Sequence, residues 1–458
     1  MSTTSTSPFP ADFVWGAATA SYQIEGAVDA DGRGESVWDR FSKTPGKVRN
    51  GDTGDVACDF YHRYPEDVAL MRELGLDAFR FSIAWPRVLP EGRGRVNERG
   101  LDFYDRLVDE LLAAGIAPYA TLFHWDTPQA VEDSGGWPAR ATVDAFVEYA
   151  EAVARRLGDR VERWITHNEP WVVSWPGHGW GRHAPGRESE RDALATSHHL
   201  LLSHGLAVDV LRRESPGAQV GITLNLDHVY AATEDPADAA AARFTDGFNN
   251  RWFLDPIFRG AYPDDMLEAF GADAPAVEDG DLRAISTPID FLGINNYTRS
   301  VVRASPGSDG GGRPVHVRNP NSQYTDMDWE IAPHAFHDLL VRVHRDYRPH
   351  AIYVTENGAA FGDVRDHDGK IRDTERQEYV AAHLDAAARA IAQGVPLQGY
   401  FVWSLLDNFE WAWGYWKRFG LIYVDYPTLE RIPKESFGWY RDFIAAQRAS
   451  AERQAASG

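Results

Sequence analysis

The 458-residue chain contains a single cysteine, Cys58. One cysteine excludes an intramolecular disulfide and a metal cage built from several thiolates. Basic residues are also scarce, since 46 Lys and Arg stand against 68 Asp and Glu, which gives a formal net charge of −22. A surface this acidic repels phosphate backbones, so we expect no nucleic-acid partner.

Long apolar runs are missing as well, and none reaches the roughly 18 residues that a membrane-spanning helix needs. The first eight residues have neither basic side chains nor an apolar segment, so they do not resemble a secretory signal. We therefore expect a cytoplasmic protein without a membrane partner. Residues 1–8 and 450–458 are rich in small and polar side chains and are expected to be flexible, which leaves one domain over residues 9–445.

Strand-like and helix-like segments alternate along the chain without a linker or an internal repeat. Leu107, Val108 and Leu111 recur at helical spacing before Gly115, for example. Short apolar runs predict eight buried strands, at 13–18, 78–83, 117–123, 162–166, 219–224, 289–294, 351–355 and 397–403. This alternation predicts an α/β fold, a single-domain (β/α)8 TIM barrel. A doubly wound sheet is the alternative, but no glycine-rich phosphate turn follows the first strand.

Polar and aromatic side chains lie at the ends of the predicted strands, where a barrel of this kind has its active site. These residues are Arg80, His124, Asn168, Glu169, Asn295, Tyr297, Glu356, Trp403 and Glu410. Amides and carboxylates bind hydroxyl groups, and aromatic rings cover apolar ring faces. The strand ends therefore favour a polyhydroxylated ligand.

Glu169 and Glu356 each follow an apolar strand directly, and each is next to an asparagine. Glycosidic cleavage requires two carboxyl groups, one to protonate the leaving oxygen and one to attack the anomeric carbon or activate water. Either glutamate alone would more often be structural, as a helix start or a turn residue. The pair, together with the other polar strand ends, favours catalysis.

Three histidines, His198, His199 and His204, lie close together in a helical segment. Histidines on one helix can bind zinc, but no glutamate lies between these three and no thiolate is near. We expect them to be core histidines, and we expect neither a metal nor a cofactor.

Five segments resemble the β-glucosidases of glycoside hydrolase family 1. They are residues 13–26, 166–170 (Thr-His-Asn-Glu-Pro), 354–358 (Val-Thr-Glu-Asn-Gly), 407–411 and 418–421. The five segments occur in the same order as in the family, which makes the resemblance specific. The resemblance covers nearly the whole chain. It implies retaining hydrolysis, with Glu356 as the nucleophile and Glu169 as the acid/base.

The resemblance also implies the remaining site residues. Sugar-binding roles fall to Gln23, His124, Asn168, Asn295, Tyr297, Trp403, Glu410 and Trp411, and supporting roles to Arg80, Trp329 and Phe419. It further implies a cis peptide bond between Trp403 and Ser404. One position departs from the family pattern, since Asn296 stands where a tyrosine is common.

The substrate implied by this resemblance is a neutral sugar. Glu410 would repel a phosphate, and Lys417, the nearest lysine, is expected to be a solvated loop residue. We expect hydrolysis of terminal β-D-glucosyl residues from aryl glucosides, cellobiose and short cello-oligosaccharides, with galactosides and fucosides as further substrates. A transglycosidase using the same two glutamates stays open, whereas the intact pair argues against a non-catalytic sugar-binding protein. The sequence does not decide whether the chain forms an oligomer.

Overall fold

Eight parallel strands form the centre of the molecule. A computed structural model describes residues 7–305 and 314–457, with side chains to residue 453. The strands are β1 (Val14–Ala18), β2 (Ala78–Ser82), β3 (Ala117–Phe123), β4 (Arg163–Asn168), β5 (Gln219–Asn225), β6 (Phe291–Asn295), β7 (Ile352–Asn357) and β8 (Leu397–Trp403). Each lies within two residues of its predicted bounds, which confirms the strand predictions.

Each strand pairs in parallel with its neighbours in the chain, and β8 closes the sheet by pairing with β1. The register sets Ala18 beside Trp403, and Asn295 beside Glu356. Because all eight strands run in one direction, their C-terminal ends meet at one rim. The predicted TIM barrel is confirmed.

Helices follow the strands and surround the barrel. The longer ones are Phe60–Leu74, Glu98–Ala113, Ala141–Leu157, Glu190–Glu214, Pro236–Asp246, Trp252–Arg259, Pro333–Tyr347, Thr374–Ala392 and Glu435–Ser457. Shorter ones are Ser21–Ile24, Val37–Ser42, Trp85–Val88, Gln129–Asp133, Pro170–Val172, Asp264–Phe270 and Asp281–Ile285. Single turns at Arg49–Gly51, Gly271–Asp273 and Trp411–Trp413 are 3₁₀ helices, and Val173–Gly179 and Gly247–Arg251 are π-helical.

Two short sheets lie outside the barrel. Ile422–Asp425 pairs antiparallel with Glu430–Pro433. Val229–Ala231, Ser300–Arg303 and Val315–His316 form the second sheet. None of the helices in the described part of the chain is long and apolar enough to cross a bilayer.

Aromatic side chains from several strands pack together in one buried cluster. The rings of Tyr119 and Phe401 have centroids 5.0 Å apart, and those of Phe291 and Tyr353 are 5.3 Å apart. The packing leaves no room for a side chain at Gly16, where a Cβ would lie 2.3 Å from the Phe401 ring. Close packing of this kind makes the barrel a rigid support for the residues at its rim.

Candidate active site

Glu169 lies directly after β4, at the start of the short helix Pro170–Val172. Its backbone is left-handed, with φ of +50°, and its amide donates to Thr223 O at 2.9 Å. Its carboxylate accepts a hydrogen bond from Asn295 Nδ2 at 2.6 Å. Trp125 and Trp411 also have positive φ, of +78° and +48°. Backbone strain in residues with a Cβ concentrates at functional sites, and here three strained residues line one cavity.

Glu356 belongs to β7 and is held by two strong donors. Arg80 Nη1 donates to its Oε1 at 2.5 Å, and the Tyr297 hydroxyl donates to its Oε2 at 2.5 Å. The side chains of Arg80 and Glu356 are both buried. Charge-assisted hydrogen bonds are the stronger class, so this arrangement favours the ionised carboxylate.

The two glutamates differ in how easily they ionise. Burial, and to a lesser extent the nearby Glu356 carboxylate, raises the pKa of Glu169 to about 8. Burial also raises the pKa of Glu356, but Arg80 and Tyr297 lower it. Since Glu169 receives one neutral amide donor and Glu356 receives a guanidinium and a phenol, Glu356 ionises first and Glu169 keeps its proton.

Asn168 links the two glutamates through its amide group. Its Oδ1 accepts from Arg80 Nη2 at 2.6 Å and from Asn295 Nδ2 at 3.0 Å. Its Nδ2 lies 3.0 Å from Nε2 of His124, which must accept that hydrogen bond. Burial and the charge of Arg80 lower the pKa of His124 well below its ordinary value, so its ring is neutral. Nδ1 of His124 then carries the proton and has no partner among the described residues.

Gln23 and Glu410 form a second polar group at the rim. Gln23 Nε2 donates to Asn408 Oδ1 and to Phe409 O, each at 2.9 Å, and lies 3.5 Å from Glu410 Oε2. Gln23 Oε1 has no partner within the described part of the chain. Burial and the charge of Glu356 raise the pKa of Glu410 to about 8, although Gln23 opposes this. The two side chains offer unfilled hydrogen-bonding capacity.

Aromatic rings enclose these polar groups. His124 is stacked with Trp403 and with Trp411, with centroids 6.0 and 5.9 Å apart. Trp329 lies 5.1 Å from Tyr297 and 6.1 Å from Phe419. The peptide bond between Trp403 and Ser404 is cis, as expected.

One cavity of about 1290 Å³ joins these residues. Ten of the predicted site residues line it: His124, Glu169, Asn295, Tyr297, Trp329, Glu356, Trp403, Glu410, Trp411 and Phe419. The other three, Gln23, Arg80 and Asn168, are fully buried and form hydrogen bonds to lining residues. All thirteen predicted site residues are therefore brought to one rim, and Asn296 lines the same cavity.

Two other predictions concern residues around the site. Lys417 is not solvated, because it donates to Asp326 O and lies over the Trp416 ring at 4.2 Å. This expectation was wrong because two tryptophans near in sequence cover the lysine. His198 is buried and lies within hydrogen-bond distance of Tyr262 and Asp281, as expected for a core histidine.

Sequence reasoning assigned no role to several further aromatic residues that line the cavity. Trp125 Nε1 donates to Asn168 O at 2.9 Å, and Trp171 and His183 also line the cavity. Trp125 and Trp171 each lie one or two residues after an assigned site residue. Their position just beyond the end of a strand is the sequence signal that could have identified these two residues as part of the site.

The comparisons with known proteins agree with this site. The family model described as Glycosyl hydrolase family 1 matches residues 5–449. The chain belongs to glycosyl hydrolase family 1. It is therefore a glycosidase, and the family's fold matches the barrel described above.

Relatives in family 1 resemble the chain over nearly its full length. Beta-glucosidase A of Acetivibrio thermocellus is 51% identical over 95% of this chain and 98% of its own. A bifunctional beta-D-glucosidase/beta-D-fucosidase of Bifidobacterium breve is 45% identical over 96% and 99%. The structure of a Thermotoga maritima beta-glucosidase in complex with glucoimidazole superposes with a TM-score of 0.93, at 48% identity over 96% and 99% of the two chains.

Proposed function

We propose that this glycosidase is a retaining β-glucosidase that releases terminal non-reducing β-D-glucosyl residues. The observation that carries the proposal is the unequal pair of buried glutamates. Glu356 is bound by Arg80 and Tyr297 and is poised as an anion, whereas burial keeps Glu169 protonated. Retaining hydrolysis needs one anionic nucleophile and one proton donor.

In the first step, Glu356 attacks the anomeric carbon while Glu169 gives its proton to the glycosidic oxygen. The aglycone leaves and the sugar becomes an ester of Glu356. Esterification removes the negative charge that Glu356 holds beside Glu169, so the pKa of Glu169 falls. Glu169 then takes a proton from a water molecule while the oxygen of that water attacks the anomeric carbon. This attack breaks the ester bond and restores the Glu356 carboxylate.

The sugar ring occupies the end of the cavity around Trp403 and Glu410. Gln23 Oε1 and His124 Nδ1 have no partner among the described residues, so they are available to hydroxyl groups. Trp403 provides an apolar surface for the ring face. Asn168 holds the 2-hydroxyl, where hydrogen bonds that tighten in the transition state raise kcat.

The carboxyl oxygens of Glu410 accept hydrogen bonds, so they favour a sugar whose 6-position carries an uncharged hydroxyl group. Lys417 is held by Asp326 O and by tryptophan rings, so it is not free to pair with a phosphate at Glu410. Glucose, galactose and fucose all remain neutral ligands of these side chains. We propose β-glucosides, cellobiose and short cello-oligosaccharides as substrates, with β-galactosides and β-fucosides cleaved as well.

A substrate panel tests this function. The panel contains aryl β-glucoside, β-galactoside, β-fucoside, 6-phospho-β-glucoside and cellobiose, with Glu356→Gln as the inactive control. We expect hydrolysis of the neutral glucosides by the wild type alone. Activity no higher than that of Glu356→Gln would overturn the function, and a preference for the phosphorylated sugar would overturn the role of Glu410. An alcohol acceptor added to the assay measures transglycosylation.

A further inference from the structure

The tyrosine that donates to Glu356 lies on a segment with few backbone partners. Residues 296–299 connect β6 to the short strand Ser300–Arg303 and belong to neither strand. From this segment the Tyr297 hydroxyl reaches Glu356 Oε2 at 2.5 Å. Among the described residues, the backbone of Tyr297 has one hydrogen-bond partner, the side chain of Tyr379.

Tyr379 lies on the helix Thr374–Ala392 and donates its hydroxyl proton to Tyr297 O at 3.0 Å. The hydroxyl oxygen itself accepts a hydrogen bond from Asn357 Nδ2 at 3.2 Å. Tyr379 is buried, and burial raises its pKa above the ordinary value, so the hydroxyl keeps its proton. Since the hydroxyl has only one proton and an amide N–H already points at its oxygen, that proton is committed to Tyr297 O.

Asn357 is the last residue of β7, and its amide group has a fixed orientation. Its Nδ2 also donates to Asn296 O at 2.7 Å, and its Oδ1 accepts from the Tyr400 hydroxyl. A carbonyl oxygen can only accept, so the amide cannot turn over without losing the bond to Asn296 O. Asn357 and Tyr400 are both fully buried. The hydrogen bonds therefore run in one direction, from β8 through Asn357 and Tyr379 to the segment after β6.

The residues on either side of Tyr297 are held by other groups. Asn296 Nδ2 donates to Leu226 O at 2.8 Å, and Thr298 Oγ1 donates to Glu330 O at 3.0 Å. These bonds keep the segment attached when the bond to Tyr297 O is removed. Loss of that bond therefore acts on Tyr297 itself.

We propose that Tyr379 is a positioning residue that holds Tyr297 in place to donate its hydrogen bond to Glu356. This inference rests on the proposed function, because it concerns the side chain that attacks the sugar. A phenol held in this position stabilises the anionic carboxylate, and the hydrogen bond from Tyr297 lowers the pKa of Glu356. A less well-placed phenol should therefore let this pKa rise.

Other titratable groups share the surroundings of Glu356: Arg80, His124, Glu169 and Glu410. The Arg80 guanidinium lowers the pKa of Glu356. A substitution at Tyr379 replaces none of these four side chains. A shift in the pKa of Glu356 in such a variant therefore reports the hydrogen bond from Tyr297.

Tyr379→Phe tests the proposal, because it removes only the hydroxyl and keeps the ring, whose centroid lies 4.0 Å from that of His383. The acid-side midpoint of kcat/KM on aryl β-glucoside reports the ionisation of Glu356 in the free enzyme. We expect this midpoint to rise by about half to one pH unit, the scale of one weakened hydrogen bond. An unchanged midpoint would overturn the proposal, whatever the change in Tm.

A double variant shows whether the two tyrosines act on Glu356 through the same hydrogen bond. Tyr297→Phe should raise the midpoint at least as far as Tyr379→Phe does, and the two substitutions together should raise it no further than Tyr297→Phe alone. Shifts that add in the double variant would contradict the proposal.

Tyr440→Phe is the matched control. Tyr440 is also fully buried and donates to a backbone carbonyl, Gly16 O, at 3.3 Å, but it does not line the cavity. Its variant should keep the wild-type midpoint. A shift as large as that of Tyr379→Phe would show that the loss of any buried tyrosine hydroxyl suffices, which would overturn the specific role of Tyr379.

A direct titration separates this inference from the proposed function. Nuclear magnetic resonance of protein labelled with ¹³C at the glutamate carboxyl groups follows the ionisation of Glu356, and Glu356→Gln assigns its signal. A higher pKa of Glu356 in Tyr379→Phe supports the positioning role even if no glucoside is hydrolysed. An unchanged pKa in a protein that hydrolyses glucosides overturns the positioning role and leaves the proposed function standing.

Discussion

Glu356 is the side chain on which the proposed chemistry depends most, because it alone forms a covalent bond to the sugar. Glu356→Gly should lower kcat on aryl β-glucoside by about 10⁴-fold or more, the scale of removing a nucleophile. The shortened side chain leaves space for azide or formate, which should restore part of the activity and give the inverted α-product. Nuclear magnetic resonance of the product checks this.

The wild type with azide serves as the control and should form no α-glucosyl azide. Unchanged turnover by Glu356→Gly, or rescue that yields only β-product, would contradict the role of this residue.

Glu169 should set the alkaline limit of activity. The pKa of Glu169 is raised to about 8, and its protonated form is the proton donor. Activity with cellobiose should therefore fall as pH rises through about 8, and it should also fall at acid pH, where Glu356 takes up a proton and is no longer a nucleophile. With dinitrophenyl β-glucoside, whose leaving group needs no proton, this fall in kcat/KM at alkaline pH should be absent from the wild type and from Glu169→Gln alike.

The same Glu169→Gln variant should accumulate a glycosyl-enzyme, because deglycosylation lacks its base. Mass spectrometry of the variant with dinitrophenyl β-glucoside detects the adduct. No adduct, together with intact activity on cellobiose, would show that another group is the acid/base. If activity of the variant still falls as pH rises through about 8, the group that titrates is Glu410, whose pKa is also raised to about 8.

Glu410 should set how tightly the sugar is held. Glu410→Ser removes hydroxyl contacts that tighten in the transition state, so kcat/KM on aryl β-glucoside should fall by about tenfold or more. Relative activity on 6-phospho-β-glucoside should rise, since serine is smaller than glutamate and carries no carboxyl group that repels phosphate when it is ionised. Unchanged glucoside hydrolysis in this variant would remove Glu410 from the sugar site.

At the scale of elements, a buried ion network joins the loop after β7 to the loop after β8. Lys434 Nζ contacts Asp407 at 2.7 Å and also contacts Asp363. Arg418 contacts Asp407 at 2.6 Å, and Arg376 contacts Asp363 at 2.8 Å. Asp407 starts the segment that leads to Glu410, so this network holds one wall of the sugar end in place.

Lys434→Met should lower the free energy of unfolding by about 3–5 kcal/mol, because it leaves buried carboxylates with one cation fewer. Differential scanning calorimetry measures the change as a lower Tm. Lys43→Met is the matched control, since Lys43 pairs with Asp55 at 3.1 Å and the two side chains are 50% and 38% exposed. Its cost should stay below about 1 kcal/mol. Equal Tm values for the two variants would contradict a structural role for the network.

At the scale of the whole molecule, barrel closure sets the distance between the glutamates. β4 and β7 are separated by β5 and β6 in the strand order, and their ends face the same cavity. We predict carboxyl groups about 5–5.5 Å apart, the separation that retention requires. The first product seen by nuclear magnetic resonance should therefore be the β-anomer. Initial release of the α-anomer would indicate inversion.

The strands and the strand-end residues could be predicted because their signals are local. Each strand is a short apolar run, and Glu169 and Glu356 follow such runs directly. The contact between the Trp175 and Phe248 rings could not be predicted in this way, because the two residues belong to different segments that meet only through packing. The burial of Lys417 escaped prediction because lysine is ordinarily exposed and because the carbonyl group that binds it, Asp326 O, lies 91 residues away in the chain.

The sequence by itself determined the alternation of strands and helices, and with it the rim on which the polar residues lie. It also determined, through its motifs, which two glutamates are paired. The motifs also implied which glutamate is the acid, but only the tertiary structure supplies the physical reason, because pKa depends on burial and on the distance to charges such as Arg80. The shape of the cavity beyond the sugar was likewise decided by packing between segments distant in the chain, where no local pattern carries information.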